Sequence, residues 1–314
     1  MLLVFWNALS SLLGLLLIVS VGYVLAALDW FSKDVRRLIP RLITNISLPP
    51  LLMGTILRSF DRENLLQMVS GAFAPLLAIV ATFLLAWYLC GPLGIERRHK
   101  GLFCACISNS NTIFIGIPVN RALFGPDSLH YVLLYYFAAT IFLWSVGNWA
   151  IYHDADADHP LKPSIMRNIR NFFSPPMLAF ITGIALVMSG IQLPVFVMDA
   201  VKYIGDLTIP LALIFIGITL QGIDLHTLRL TRDMRLALLG RLVASPLITA
   251  LVLCFFPLPD LMCKVFIVQS ALPVLTQAAI LSAYYNTDPQ FGSLMVSLST
   301  IFCALSIPLL MCFI

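Results

Sequence analysis

Residues 108–119 read Ser108-Asn-Ser-Asn-Thr-Ile-Phe-Ile-Gly-Ile-Pro-Val119. Five polar residues stand in a row, and Gly116 and Pro118 break the apolar run behind them, all inside the uncharged tract 101–120. A helix in hydrocarbon satisfies its own backbone, so an interruption there is costly unless the freed groups line a cavity or meet protein partners. The stretch therefore marks either a close helix contact or a polar site within a membrane.

The composition places the whole chain in that setting. Of 314 residues, 60% are hydrophobic and 11% charged, with a mean hydropathy of +0.95. Uncharged tracts cover 1–28, 42–57, 64–95, 101–120, 131–152, 171–198, 207–223, 242–259, 265–287 and 289–314. A helix needs about 20 mostly apolar residues to cross a bilayer, and a short tract can borrow snorkelling flanks. The expected fold is an all-α polytopic membrane protein of ten transmembrane helices. The first tract has no basic residue ahead of its apolar run and is about twice as long as a signal-peptide core, so it is expected to be a permanent span. The seven cysteines fall in or beside spans with no paired loop framework, as reduced packing residues do.

The basic residues are distributed unevenly. Thirteen lie in the odd-numbered loops, including Lys33, Arg36, Arg37, Arg97, Arg98, Arg167, Arg170, Arg232 and Arg235. The even-numbered loops hold Arg58, Arg62, Arg121, Lys202 and Lys264, and Arg241 stands within span eight. The positive-inside rule puts the odd loops in the cytoplasm and both termini outside. That orientation signal accounts for the net charge of +4 without a nucleic-acid partner.

The chain also resembles itself at an offset of 161 residues. Asn45-Ile-Ser-Leu-Pro49 corresponds to Asp206-Leu-Thr-Ile-Pro210, Gly22 to Gly183, and Asp127 to Asp288. Two five-span repeats are expected, 1–152 and 171–314, joined by a cytoplasmic linker, 153–170. An odd number of spans per repeat inverts the second copy, as in secondary transporters, whose substrates bind near the midplane where equivalent helices are interrupted. Shifted by about 161, the opening stretch falls on Val268-Gln-Ser-Ala-Leu-Pro273-Val-Leu-Thr276-Gln277, a second polar patch with a mid-span proline.

Proline removes an amide donor and clashes with the preceding turn, so each helix is expected to break at its proline. The new half-helices would present amide N–H groups and the positive dipole end, which suit an anion. Asn109, Asn111, Thr112, Ser270, Thr276 and Gln277 add side-chain donors, with Gly116, Pro118 and Pro273 shaping the breaks. Such residues also serve packing in membrane helices; their duplication favours a site.

The run Asn111-Thr-Ile-Phe-Ile-Gly116-Ile-Pro118, followed by Leu123-Phe-Gly125, resembles the fourth-span signature of the auxin efflux carrier family, N-T-x-F-x-G-x-P and then Phe-Gly. Ala271-Leu-Pro273 with Thr276-Gln277 and Ala283-Tyr-Tyr285 is similar to the family's second crossover, although Asn is more usual where Gln277 stands. Thr208-Ile-Pro210 with Gly217 and Leu220 also fits, over essentially the whole chain. The short gap between spans five and six resembles a compact bacterial-type member. The resemblance implies two inverted five-helix repeats with crossed broken helices four and nine, and a scaffold of spans one, two, six and seven. It implies multi-pass residence in the bacterial inner membrane, transport of organic anions, dicarboxylates such as malonate and malate or an auxin-like acid, no cofactor, and a homodimer in some relatives.

For a coupling proton or sodium ion the candidates are Asp206 and its repeat partner Asn45, since an intramembrane acid is costly and tends to face the protein interior; the alternative is that Asp206 caps a helix starting at Leu207. Arg241 could contact substrate, but snorkelling to the cytoplasmic surface is the preferred reading. His153-Asp-Ala-Asp-Ala-Asp-His159 groups metal-ligand types, and an enzyme acting on a lipid pyrophosphate would use them. With no facing acidic motif, a solvated linker is expected instead, with no metal. A sodium-coupled carrier of the bile-acid type is the neighbouring transporter alternative.

Overall fold

The structure is a computed structural model that describes residues 2–62, 71–155, 164–222 and 230–314. Among these the regular structure is entirely helical, apart from one isolated antiparallel bridge between Ser110 and Val274. Helix α1 is Leu2–Ala27; α2, Lys33–Leu42, passes through a π turn, Ile43–Ser47, into α3, Leu48–Ser59; α4 is Phe73–Leu89. Helices α5, Lys100–Ser108, and α6, Gly116–Phe124, flank the opening stretch. Then α7, Leu129–Phe142, passes through a π turn, Leu143–Gly147, into α8, Asn148–His153.

The second half holds α9, Ile165–Phe172; α10, Pro175–Ser189; α11, Val195–Asp206; and α12, Thr208–Gln221. Helix α13, Arg232–Leu239, runs through a π turn, Gly240–Ala244, into α14, Ser245–Leu253. It closes with α15, Asp260–Ala271; α16, Thr276–Tyr284; and α17, Pro289–Leu310. Two of the three π turns stand just ahead of prolines, Pro49-Pro50 and Pro246. A proline takes one amide out of the i→i−4 ladder, and the ladder lengthens by one residue beside it: Leu48 N–H reaches Ile43 O, and Ser245 N–H reaches Gly240 O.

Five helical stretches among the described residues are long and apolar enough to cross a membrane: Leu9–Ala27, Pro126–His153, Val195–Gln221, Arg232–Leu253 and Pro289–Leu310. The pair α9 and α10, bent by 61° where Pro175 and Pro176 open the second helix, makes a sixth if counted as one span. The difference from ten expected spans has a local cause. Helices α5, α6 and α16 have nine residues each, α3 and α15 have twelve, and α4 has seventeen with 63–70 ahead of it outside the described residues, each short of the about 20 residues that a crossing takes. The outer surface carries Leu17, Leu84, Leu247, Leu251 and Phe255 exposed, an apolar belt of the kind that faces lipid.

Close backbone contact fixes one group of helices. Helix α1 crosses α12 at Gly22 and Gly217: a Cβ on Gly217 would lie 2.6 Å from Tyr23 N and 2.9 Å from Gly22 C. Such small-residue crossings are the usual means of tight packing in membranes. Gly205 of α11 packs on the backbone of Leu51, and Gly183 of α10 on Ile56, so α3 lies against both. The large buried cluster that includes Phe103, Tyr135, Phe142, Phe266 and Phe291 joins most of the remaining helices and also takes in Leu52 and Ile56 of α3 and Met177 and Phe180 of α10.

Candidate functional site

Helix α5 ends because Asn109 turns extended, at φ −107° and ψ 130°. Helix α15 ends because Leu272 does the same, at φ −66° and ψ 163°, the conformation that a following proline imposes. The two extended segments then cross antiparallel. Asn111 N–H donates to Pro273 O at 2.9 Å, and Leu275 N–H to Asn109 O at 3.3 Å. Each break thus supplies partners for backbone groups freed in the other, which is what makes a pair of interruptions tolerable inside a bundle.

The prolines take different parts. Pro273 sits in the extended segment itself and accepts the Asn111 amide. Pro118 lies in the first turn of α6, after the break, where a missing N–H costs no helical hydrogen bond. The expectation that each helix breaks at its proline therefore holds for the second interruption and is corrected for the first, which occupies 109–115.

Asn111 ties the crossing together. Its Oδ1 accepts Phe114 N–H at 3.1 Å, and its Nδ2 donates to Thr276 Oγ1 at 3.3 Å. Asn111, Thr112, Thr276 and Gln277 line one cavity of about 120 Å³. Thr44, Tyr136, Thr140, Asn171 and Ser174 complete its polar wall. Helix α16 opens its N-terminal end on this cavity through Thr276 and Gln277. The start of α6 does not reach it in the same way: Gly116 is pressed against the Gln269 amide, where a Cβ would fall 2.6 Å from Oε1.

The other expected residues are placed elsewhere. Ser270 is buried and turns its hydroxyl back to Ile267 O at 2.7 Å. Asn109 Nδ2 donates to Ser108 Oγ, and its buried Oδ1 has no hydrogen-bond partner. Pro118 and Pro273 line a separate, apolar cavity of about 280 Å³ against α1 and α12. Asn45 and Asp206 are both exposed, and Asp206 ends α11 rather than preceding a helix as its cap. The neighbouring equivalents point inward: Thr208 Oγ1 donates to Ser47 Oγ at 3.0 Å, both buried.

Arg241 corrects the snorkelling expectation. It is fully buried and sits in the π turn between α13 and α14. Its Nε donates to Leu272 O at 2.8 Å, one terminal nitrogen to Ile107 O at 2.7 Å, and the other to Ser270 O. The last carbonyls of a helix have no intrahelical donors and carry the negative dipole end. A guanidinium with five N–H groups meets that need for both broken helices at once, and this holds Arg241 inside.

Of the acidic linker, Asp156, Asp158 and His159 lie outside the described residues. His153 stacks on Trp149 with ring centroids 5.4 Å apart. Asp154 accepts Gly101 N–H and Leu102 N–H at 2.8 Å each, capping the start of α5. Burial pushes its carboxyl up to about 6, against the pull of those two amides. Both its oxygens are turned to backbone.

Comparison with known proteins places the chain among membrane transporters. The chain is 24% identical over 310 residues to a protein of Methanothermobacter thermautotrophicus described as an uncharacterized transporter, covering 98% of each chain. It is 22% identical over 300 residues to one of Methanocaldococcus jannaschii with the same description, covering 94% of each. A family model described as membrane transport protein matches residues 7–311. The chain belongs to that membrane transport protein family, the family of the auxin efflux carriers, and is a multi-pass transporter rather than an enzyme.

Proposed function

We propose that the protein is a secondary transporter of a small organic anion, a mono- or dicarboxylate, bound in the cavity beside the crossing of the two interrupted segments. The observation that carries this is the cavity wall: hydroxyl and amide donors from both segments, with the start of α16 directed at it and no carboxylate among the lining residues. A carboxylate in such a place is held by N–H and O–H donors and by the helix dipole, with no lysine or arginine needed.

In this reading 1–152 and 171–314 are two inverted five-helix repeats that together make ten membrane passages, with both termini outside the bacterial inner membrane. The Ser47–Thr208 bond, between residues 161 apart, supports the repeat. Helices α1, α3, α10, α11 and α12 form a fixed panel, and the crossing moves against it to expose the cavity to each side in turn. Proton or sodium coupling belongs to the same proposal, although the exposure of Asp206 and Asn45 directs the search for the coupling group elsewhere.

Binding to the folded state raises a melting temperature. Purified protein in detergent should be stabilised by malonate, malate or indole-3-acetate, and Asn111→Ala and Gln277→Ala should abolish the shift while still melting cooperatively. No shift with any carboxylate, alongside a shift with sodium alone or with a cationic compound, would overturn the anion assignment.

A further inference from the structure

A second polar cluster lies at the opposite end of α5 from the crossing. His99, in the turn just before α5, is 4% exposed. Its Nε2 is 2.9 Å from Asp233 Oδ2, in the first turn of α13. Its Nδ1 is 3.3 Å from Asp288 Oδ2, near but not aligned for a hydrogen bond. Asp288 caps α17 by accepting Phe291 N–H at 2.9 Å, and the Phe291 ring stacks on the imidazole with centroids 4.6 Å apart.

Both ring nitrogens thus face carboxylate oxygens, which only accept. A neutral imidazole has one N–H, so it can serve one of them and turns a lone pair toward the other. The imidazolium has two N–H groups and serves both. We propose that His99 is a proton-binding site of the transporter: proton uptake on Nδ1 closes the contact to Asp288 and clamps the start of α5 to α13 and α17 together.

The other charged groups around it are engaged or turned outward. Arg98 pairs with Glu96 at 2.8 Å and lies 3.9 Å from Asp288. Lys100 sits over the Trp87 ring at 4.2 Å, Asp154 caps α5 as described, and Arg97, Arg232 and Arg235 are exposed. Helix α5 is nine residues long and runs directly into Asn109 at the crossing. A clamp on its start therefore resists movement of the crossing about 13 Å away, and by linkage any movement that opens the clamp changes the affinity for the proton.

The proposal rests on the chain's membership of a transporter family and not on the carboxylate assignment, so its test uses no substrate. Hydrogen–deuterium exchange of the amides of 100–108 is compared at pH 8 and pH 5.5 after correction for intrinsic rates, in the Asp154→Asn background so that this neighbour does not titrate. Charge-assisted bonds imply about tenfold or more added protection at pH 5.5. His99→Gln and Asp288→Asn should each remove the pH dependence. Asp288→Asn keeps the imidazole and the α17 cap, so it decides the matter if His99→Gln does not fold. Ring-nitrogen NMR of histidine-labelled protein, with only five histidines, should show both nitrogens of His99 protonated at pH 5.5. Protection independent of pH, or a pH dependence that survives in Asp288→Asn, would overturn the proposal.

Discussion

Arg241 and Asn111 hold the crossing by different chemistry, and their replacements should fail differently. Removing the guanidinium leaves carbonyls of Ile107, Ser270 and Leu272 without that donor in a buried place, at about 1–3 kcal/mol for each group left unsatisfied. Arg241→Met should lower stability by roughly 3 kcal/mol or more, measured as a fall in melting temperature, and Arg241→Lys should recover part of it; wild-type melting in Arg241→Met would contradict the capping role. Asn111→Ala, which leaves Phe114 N–H without its side-chain acceptor, should cost less than Arg241→Met, about 1–3 kcal/mol. Asp154 carries a pH dependence whose sign follows from its burial. Its folded value of about 6 lies above the ordinary 3.8. The stability contributed by the protonated carboxyl is therefore complete below about pH 4 and is lost as pH rises through 6. Asp154→Asn should flatten the melting profile between pH 4 and 7, and an unchanged slope would refute this. At this scale Asn111, Thr112, Thr276 and Gln277 were legible, because polar runs in apolar tracts stand out. Arg241 was not: a lone arginine near the end of a tract looks the same whether it reaches outward to water or inward to helix ends. Thr44, Asn171 and Ser174 gave no signal, since they lie far from the crossing in the chain.

The elements follow from where the ladder is interrupted and where backbones touch. The sequence places both interruptions, but which residue ends each helix depends on tertiary pairing. Asn109 is extended because Leu275 lies opposite it, as Pro273 lies opposite Asn111, and no local rule assigns that to an asparagine rather than to Pro118. The π turns were likewise invisible, since only two of the three have a proline nearby. Glycines were legible as repeat markers and not as contacts: Gly22 meets Gly217 of the other half, while its repeat equivalent Gly183 meets Ile56. The α1–α12 crossing has no room for a side chain at either glycine. Gly217→Val should cost about 1–3 kcal/mol or more by overpacking, seen as a lower melting temperature and greater protease sensitivity. Gly14, with open space around its Cβ position, should accept alanine without loss; a tolerant Gly217 would contradict the packing described.

For the whole molecule, the proposed alternating access needs the crossing to move against the helices packed at Gly22, Gly217, Gly205 and Gly183. Helices α1, α12 and α17 border the apolar cavity, while Leu48 of α3 and Pro176 of α10 help to line the polar one. Composition and hydropathy alone assign the membrane class. The number of passages is harder to read from helix length, because the segments that define the site are the ones too short to cross unbroken. The central claim is that a small carboxylate is carried through the polar cavity at the crossing. Proteoliposomes on a solid-supported membrane, exposed to concentration jumps of malonate, malate and indole-3-acetate, report it directly. The account predicts a saturable transient current with at least one of the three, absent in Asn111→Ala at equal protein incorporation and unchanged in Gly14→Ala. An equal current in Asn111→Ala, or a current with none of the carboxylates from protein that carries a different solute, would contradict it.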